Sequence, residues 1–307
     1  MAARYRYQTG VASSPTDLLD QFVAFLVAQG WTTLAHAADG AGKRAHLSKA
    51  GLFVNLRSAL NETSPAFSHY NTGGYSPVAR TGLGVNVGSG YDAGKNWRAQ
   101  PGVPSTLYAS YITGQDAALA HTAAGTISYH AFDDGADNIV LVASNAAGGF
   151  THLAFGPSVH KLGAGAGGAY FFAESLATTY SGYSSAIPLA GIGFVQAAVD
   201  STPAGAWLGV NASLGRACAS ESSYLPVQFP THAQLGPVGV SAMSNQANLL
   251  PINVLAARDG GGWSYLGMVP NVYRCDAVGA GFAAGQVYTV GNESYMLFPN
   301  FAVRKYA

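Results

Sequence analysis

The chain has 307 residues, a formal net charge of zero and only 10% charged residues, against roughly 25% in typical soluble domains. This length allows about two ordinary domains, or one large β-rich domain with an appendage. The neutral balance and the lack of a basic run interleaved with aromatic residues argue against a nucleic-acid-binding protein. So few charges in a chain with 39 Gly indicate that further copies or other partners cover part of its surface.

The charges are also unevenly distributed along the chain. Residues 1–98 carry nine Lys or Arg and five acids, a net of +4, whereas residues 99–307 carry six bases and ten acids, a net of −4. Chance segregation in a charge-poor chain explains this distribution. The alternative is electrostatic complementarity between neighbouring subunits of an assembly.

We expect neither a secretory signal nor a membrane-spanning segment. Residues 1–10 are basic and polar, and the first apolar run, residues 18–28, is amphipathic. The two cysteines, Cys218 and Cys275, lack metal-ligand spacing. We expect free thiols rather than one disulfide, as in a protein made in the cytoplasm.

The strongest helix signal lies at residues 15–29. Ser14 is a suitable N-cap, Pro15 suits the first helical position, and Gly30 follows the last turn. The apolar residues recur at helical spacing, which predicts a buried stripe made of Leu18, Leu19, Phe22, Val23, Phe25 and Leu26.

Three strands are predicted to follow this helix, joined by two turns that contain glycine. They span residues 31–37, 43–48 and 52–57. Together with the helix they predict an αβββ unit over residues 1–60.

Residues 61–104 are dense in Gly, Ser, Asn and Pro, with isolated aromatic residues. We predict an extended loop excursion with little regular structure, of a length that usually serves function or an interface. Because Tyr and Trp are enriched at interfaces, the candidate subunit-contact residues are Tyr75, Tyr91 and Trp97.

The clearest pattern in the chain predicts a three-stranded antiparallel meander. Its first run, residues 126–132, alternates apolar and polar side chains, as in a strand with one wet face. The second run, residues 139–143, is apolar at every position and is therefore predicted to be covered on both faces. Turns rich in Asp, Asn and Gly connect it to its neighbours, and the third run spans residues 150–155.

The remaining strands are predicted within a main antiparallel-β body that spans residues 105–307. They lie at residues 169–173, 194–199 (strand or helix), 206–210, 252–257 and 263–266, with a hairpin at 286–290 and 294–298. The fold class predicted for the whole chain is α+β. It is mainly antiparallel β, with an N-terminal helix-plus-strands unit and long Gly-rich loops.

No catalytic, cofactor-binding or metal-ligating residue is predicted, because the motifs that carry such chemistry are incomplete. Gly163, Gly165 and Gly168 match a GxGxxG pattern, yet a Pro interrupts the preceding segment and no acid follows at the spacing of a dinucleotide site. The sequence also lacks the GxSxG elbow of a hydrolase.

The histidines and the clustered acids are better explained by structure than by metal binding. The eight histidines never fall at metal-ligand spacing, and His130 and His152 are predicted on the two outer strands of the meander, separated by its middle strand. Asp133, Asp134 and Asp137 lack the ligand spacing of a calcium loop, so we interpret them as turn-forming residues.

Several segments share patterns of apolar, Gly and Asn residues with a known class of protein. They are HLSKAGLFVNLRS at 46–58, GYDAGKNWRAQPG at 90–102, FTHLAFG at 150–156 followed by GGAYFFAES at 167–175, NQANLLPI at 245–252, and LGMVPNVYRCD leading into VYTVGNESYMLFPNF between 266 and 301. In order and spacing they resemble a recurring type of tailed-bacteriophage virion protein, encoded among tail and baseplate genes. The resemblance implies a structural subunit, assembled as a ring or trimer, with no enzymatic role.

We therefore expect a self-assembling component of a phage tail, tail tip or baseplate, made in the bacterial cytoplasm and located in the virion. Its expected partners are copies of itself and other virion proteins, not nucleic acid or membrane. One alternative is a tail-associated adhesin that binds glycan through exposed aromatic residues such as Tyr91 and Trp97. The other is a cell-wall or glycan hydrolase, which requires two carboxylates in one cleft.

Overall fold

The computed structural model describes residues 6–62, 79–104, 118–146, 148–159, 168–174, 191–197, 205–211, 227–228, 249–257, 263–275, 281–299 and 301–305. Within these residues the chain forms one helix and eighteen strands. In chain order they are β1 Arg6–Ala12, α1 Pro15–Ala28, β2 Thr32–Asp39, β3 Gly42–Lys49, β4 Leu52–Glu62, β5 Arg80–Gly88, β6 Ala118–His121, β7 Ile127–Asp133, β8 Ile139–Ser144, β9 Phe150–Gly156, β10 Tyr170–Glu174, β11 Gly191–Ala197, β12 Ala206–Asn211, β13 Val227–Gln228, β14 Leu250–Ala257, β15 Trp263–Arg274, β16 Val287–Val290, β17 Glu293–Phe298 and β18 Phe301–Lys305.

The strands form three sheets in which the paired neighbours run antiparallel. The N-terminal sheet has the order β2-β3-β4-β5-β6, the central sheet β1-β7-β8-β9-β10-β11-β12, and the C-terminal sheet β13-β14-β15-β18-β17-β16. The predicted fold class, α+β with mainly antiparallel β structure and an N-terminal helix-plus-strands unit, is confirmed.

Helix α1 begins where its capping residues predict. The Ser14 hydroxyl accepts a hydrogen bond from the Asp17 backbone N–H at 3.1 Å, and Pro15 occupies the first turn. The Asp17 carboxylate in turn accepts hydrogen bonds from the backbone N–H and hydroxyl of Ser13, which lower the pKa of Asp17. After the last turn Gly30 adopts a φ of +87°, a conformation that favours glycine.

One apolar core lies between the N-terminal sheet and the central sheet, and α1 packs into it. The helix contributes its predicted stripe, and the N-terminal sheet contributes every second residue of β3, β4 and β5. The central sheet completes this core with one of its faces, which includes Ile127, Tyr129, Leu141, Leu153, Phe155 and Phe171.

The second core lies between the opposite face of the central sheet and the C-terminal sheet. Strand β8 shows how the central sheet serves both cores, because Leu141 belongs to the first and Val140 and Val142 belong to the second. The predicted meander is confirmed, since β8 pairs with β7 on one side and β9 on the other. Its all-apolar sequence follows from burial on both faces.

The structure corrects the prediction of little regular structure for residues 61–104. Residues Arg80–Gly88 of this excursion form β5, which pairs with β4 and β6 in the N-terminal sheet. Strand β1, which was not predicted, pairs with β7. The sheets therefore join strands from the segments 1–60, 61–104 and 105–307 that the sequence suggested as separate units.

Candidate functional site

Buried polar side chains are concentrated on the outer face of the N-terminal sheet. Along β4, Val54 and Leu56 point into the first core, whereas Asn55 and Arg57 lie on the opposite face and are also buried. A strand that alternates in this way would ordinarily expose its polar side chains to water. We define the polar face as Arg44, His46, Asn55, Arg57, Glu62, Arg80, Asn86 and His121.

Three residues of the polar face form a hydrogen-bonded row across adjacent strands. His46 of β3, Asn55 of β4 and Asn86 of β5 lie opposite one another in register. The His46 Nδ1 lies 2.7 Å from the Asn55 Oδ1, and the Asn55 Nδ2 donates to the Asn86 Oδ1 at 2.6 Å. Because the Asn55 oxygen can only accept, the Nδ1 of His46 carries the proton. Burial lowers the pKa of His46, although the hydrogen bond to Asn55 opposes that shift.

Residues 89–104 form a loop that covers part of the polar face. The Asn86 Nδ2 donates to the Trp97 carbonyl at 3.2 Å, which ties the loop to the polar row. Within the loop, the buried Gln100 side chain donates to the carbonyls of Asp92, Lys95 and Asn96. The Trp207 indole of β12 donates to the Gly102 carbonyl at 2.7 Å, which links the loop to the central sheet.

The candidate interface residues occupy different environments in this loop. The Trp97 ring is only 2% exposed and packs with Ala59 and Leu119 of its own chain. The Tyr91 ring is half-buried, with its centroid 5.0 Å from that of His46. Tyr75 lies outside the described residues. Its own chain buries the Trp97 ring, and a contact of this residue with a neighbouring subunit stays a prediction.

Arg57 holds the end of β4 through a buried ion-pair cluster. Its side chain, 1% exposed, donates to both carboxylate oxygens of Glu62 at 2.6 and 2.8 Å and to the Asp39 carboxylate at 2.9 Å. Burial alone would lower the pKa of Arg57, but the hydrogen bonds to Glu62 and Asp39 outweigh it and raise the pKa. The cluster fixes the turn after β2 against β4.

Arg80 and His121 lie at the same end of the sheet and are less well satisfied. Arg80 is 7% exposed, and its Nε has no hydrogen-bond partner among the described residues. Its opposite residue on β4 is Glu62, whose two oxygens are bonded to Arg57. Burial and then the charge of Arg80 lower the pKa of His121 to about 4. The buried His121 Nε2 also lacks a partner within the same described ranges.

A second buried polar group joins the central sheet to the C-terminal sheet. The Asp134 Oδ1 accepts from the backbone N–H groups of Ala136 and Asn138, and its Oδ2 accepts from the side chains of Asn138 and Asn271. Asp137, with a φ of +67°, forms an ion pair with Lys49 at 2.5 Å. The predicted turn-forming role of these acids is confirmed. Within the described ranges, no three His, Cys, Asp or Glu side chains are grouped as metal ligands.

His130 and His152 flank the middle strand of the meander, as predicted, because each lies opposite Val142. Both rings face the C-terminal sheet, with the His130 centroid 5.4 Å from Phe298 and the His152 centroid 5.0 Å from Phe301. Burial lowers the pKa of both histidines, and that of His152 falls to about 4. They are structural residues of the contact between these two sheets.

The surface of the described chain carries exposed apolar side chains at sheet edges. Strands β1, β2 and β16 each lie at the end of the sheet order given above. They expose Val11, Leu34, Val287 and Val290, and Val11 is 62% exposed. An edge strand with exposed apolar side chains is a template for pairing with another chain.

Sequence reasoning missed the polar face because its members are distant in sequence. Arg57, Arg80 and His121 are brought together only by the pairing of β4, β5 and β6. The alternation of Asn55 and Arg57 with apolar residues in β4 is a signal, but it is also typical of a solvent-exposed face.

The expectation of two free thiols stays a prediction. Cys275 is buried, and Cys218 lies outside the described part of the chain.

Comparison with protein-family models gives no match, and comparison with curated protein sequences gives none either. In the part of the chain that the structure describes, no helix combines the length and hydropathy needed to span a bilayer.

Proposed function

We propose that this protein is a self-assembling structural subunit of a tailed-phage particle, in the tail, tail tip or baseplate. The observation that carries the proposal is that the edge strands β1, β2 and β16 expose the apolar side chains of Val11, Leu34, Val287 and Val290. Natural monomers ordinarily protect such edges with charges, proline or a covering segment. A second copy or a neighbouring virion protein that adds a strand there would bury these side chains and satisfy the edge backbone groups.

Two features of the sequence support this proposal. The chain is poor in charge, and its two parts carry opposite net charges of +4 over residues 1–98 and −4 over residues 99–307. Opposite charges on two surfaces favour head-to-tail association. The segments that resemble tail and baseplate proteins supply the class of particle.

The proposal is tested by measuring the mass of the purified protein with light scattering and imaging it by negative-stain electron microscopy. We expect a ring or a trimer at tens of micromolar protein. Val290→Lys in β16 should lower the assembled mass, because a lysine at a sheet edge opposes strand addition. The same substitution at Val11 and Leu34 identifies which edge is used.

Val27→Lys is the matched control for this experiment. Val27 is also an exposed apolar residue, but it lies on α1 rather than on a sheet edge. We expect Val27→Lys to assemble as the wild type does. A wild-type chain that stays monomeric under these conditions, and that is missing from purified particles, would contradict the proposal.

A further inference from the structure

We propose that Arg80 and His121 form a binding site for a small oxyanion, a sulfate-like or carboxylate group, at the end of the polar face. The inference is independent of the proposed assembly. It starts from Arg80, which is 7% exposed and whose partner in the strand pairing is Glu62. That carboxylate is already engaged through both oxygens by Arg57.

A buried guanidinium without a counter-charge is energetically unfavourable. Removing a charge from water costs several kcal/mol unless hydrogen bonds and an opposite charge compensate. Within the described part of the chain the buried Arg80 Nε–H has no acceptor, and burial is the cause that lowers the pKa of Arg80. An anion bound at this position would supply both the charge and the acceptor.

His121 supplies the second half of the site. It lies on β6 opposite Gly82, which is two residues along β5 from Arg80, and the charge of Arg80 contributes to the lowered pKa of His121. Gly82 has no side chain that could lie between Arg80 and His121. The His121 ring is hydrogen-bonded to the backbone of Thr81, and its Nε2 has no partner among the described residues.

The two groups have the chemistry to bind an oxyanion. One oxygen would accept from the Arg80 Nε–H and another from a protonated His121 Nε2, giving two charge-assisted hydrogen bonds. The proton on Nε2 comes from solvent, so binding takes up a proton. On the neighbouring strand β4, Arg57 is ion-paired with Glu62 and with Asp39, and Arg80 is the one charged group among the described residues that shifts the pKa of His121.

The direction of the pH dependence follows from this proton uptake. In the empty site His121 is neutral above a pKa of about 4, because of burial and the charge of Arg80. A bound anion favours the protonated ring, so the affinity for the anion should rise as the pH falls. Sulfate is the suitable probe because its charge does not change between about pH 6 and 8, well above its ionisation range.

The experiment measures sulfate and acetate binding to the full chain by titration calorimetry and thermal unfolding, with chloride at equal ionic strength as reference. For the wild type we expect sulfate to stabilise the protein in a saturable way. The affinity for sulfate should be about threefold higher at about pH 6 than at about pH 8. Arg80→Met should abolish the response and raise the unfolding temperature without anion, because it removes an uncompensated charge. His121→Asn should bind more weakly and lose the pH dependence.

Lys95→Gln is the control, since it removes one positive charge from the exposed part of the covering loop. Lys95→Gln should be stabilised by sulfate as the wild type is. Equal stabilisation of Lys95→Gln and Arg80→Met by sulfate would show that Arg80 does not form the binding site. If sulfate and acetate do not bind the wild type, the proposal is wrong, whatever the assembly state of the protein.

Discussion

Gly10 of β1 lies directly opposite Tyr129 of β7, and the Tyr129 ring fills the space that a β-carbon at Gly10 would occupy. A β-carbon there would lie 2.7 Å from the Tyr129 Cε1. The Tyr129 hydroxyl accepts from the Gln8 Nε2 at 2.8 Å and donates to the Gln21 Oε1 at 3.0 Å. One ring thereby connects β1, β7 and α1, and it does so because residue 10 has no side chain.

Gly10→Ala should therefore destabilise the protein by about 1–3 kcal/mol, the usual cost of overpacking a well-packed site. Urea unfolding followed by circular dichroism measures the change. Gly125→Ala is the control, because a β-carbon at Gly125 would have no atom of the described residues within 4 Å. It should change stability by less than about 0.5 kcal/mol. Equal effects at the two glycines would contradict the packing of Tyr129 against β1.

Leu141→Asp should prevent soluble folding. Leu141 is 2% exposed on the doubly covered strand β8, and an aspartate there would be buried without a partner. The experiment compares the soluble yield and the thermal unfolding of Leu141→Asp with those of Leu60→Asp. Leu60 lies in β4 but is 42% exposed, so its variant should remain soluble, and wild-type-like melting of Leu141→Asp would refute the central position of β8.

The helix and the meander could be predicted because their signals are local. A cap, a proline and an apolar stripe define α1, and an all-apolar run between two turns defines β8. Strand β5 could not be predicted in this way, because its sequence RTGLGVNVG is interrupted by glycines, which are depleted in strands. The structure explains one of them, since a β-carbon at Gly88 would lie 2.4 Å from the Pro101 carbonyl oxygen of the covering loop.

The candidate site was less predictable than the fold. Residues such as Arg80 and His121 become neighbours through strand pairing across 41 positions of sequence, which periodicity does not report. Trp97 was singled out by the sequence as an interface residue because it is aromatic. In the structure its own chain buries it. Large aromatic side chains stabilise cores and interfaces for the same physical reason.

Arg57→Met should destabilise the protein by about 3–5 kcal/mol, because it breaks a buried ion pair and removes both hydrogen bonds that Arg57 donates to the Glu62 carboxylate. Urea unfolding at neutral pH measures this cost. The control is Lys43→Met, which breaks the partly exposed ion pair between Lys43 and Asp20 at 2.6 Å and should cost at most about 1 kcal/mol. Adding Glu62→Gln to Arg57→Met should recover part of the lost stability. If Arg57→Met destabilises the protein no more than Lys43→Met does, the ion-pair cluster is not needed for stability.

His152 should make the protein less stable as the pH falls below about 6.5. Burial lowers the pKa of His152 to about 4 in the folded chain, from an ordinary value of 6.5. Between these two values the unfolded chain binds a proton that the folded chain does not, so the free energy of unfolding decreases with decreasing pH. By this linkage, His152 alone should lower the stability by about 2 kcal/mol between pH 7.5 and pH 5.

His152→Gln tests this expectation, because glutamine cannot take up the proton. Urea unfolding of the wild type and the variant at about pH 7.5, 6.5, 5.5 and 5.0, chosen to lie above the usual ionisation range of carboxylates, should give a shallower decline for the variant. His121, whose pKa is also about 4, contributes a similar decline that the variant retains, so the difference between the two curves isolates His152. His36→Gln, at a surface histidine beside Asp20, controls for the loss of an imidazole as such. Parallel curves for the wild type and His152→Gln would mean that the His152 ring is not held neutral between the central sheet and Phe301.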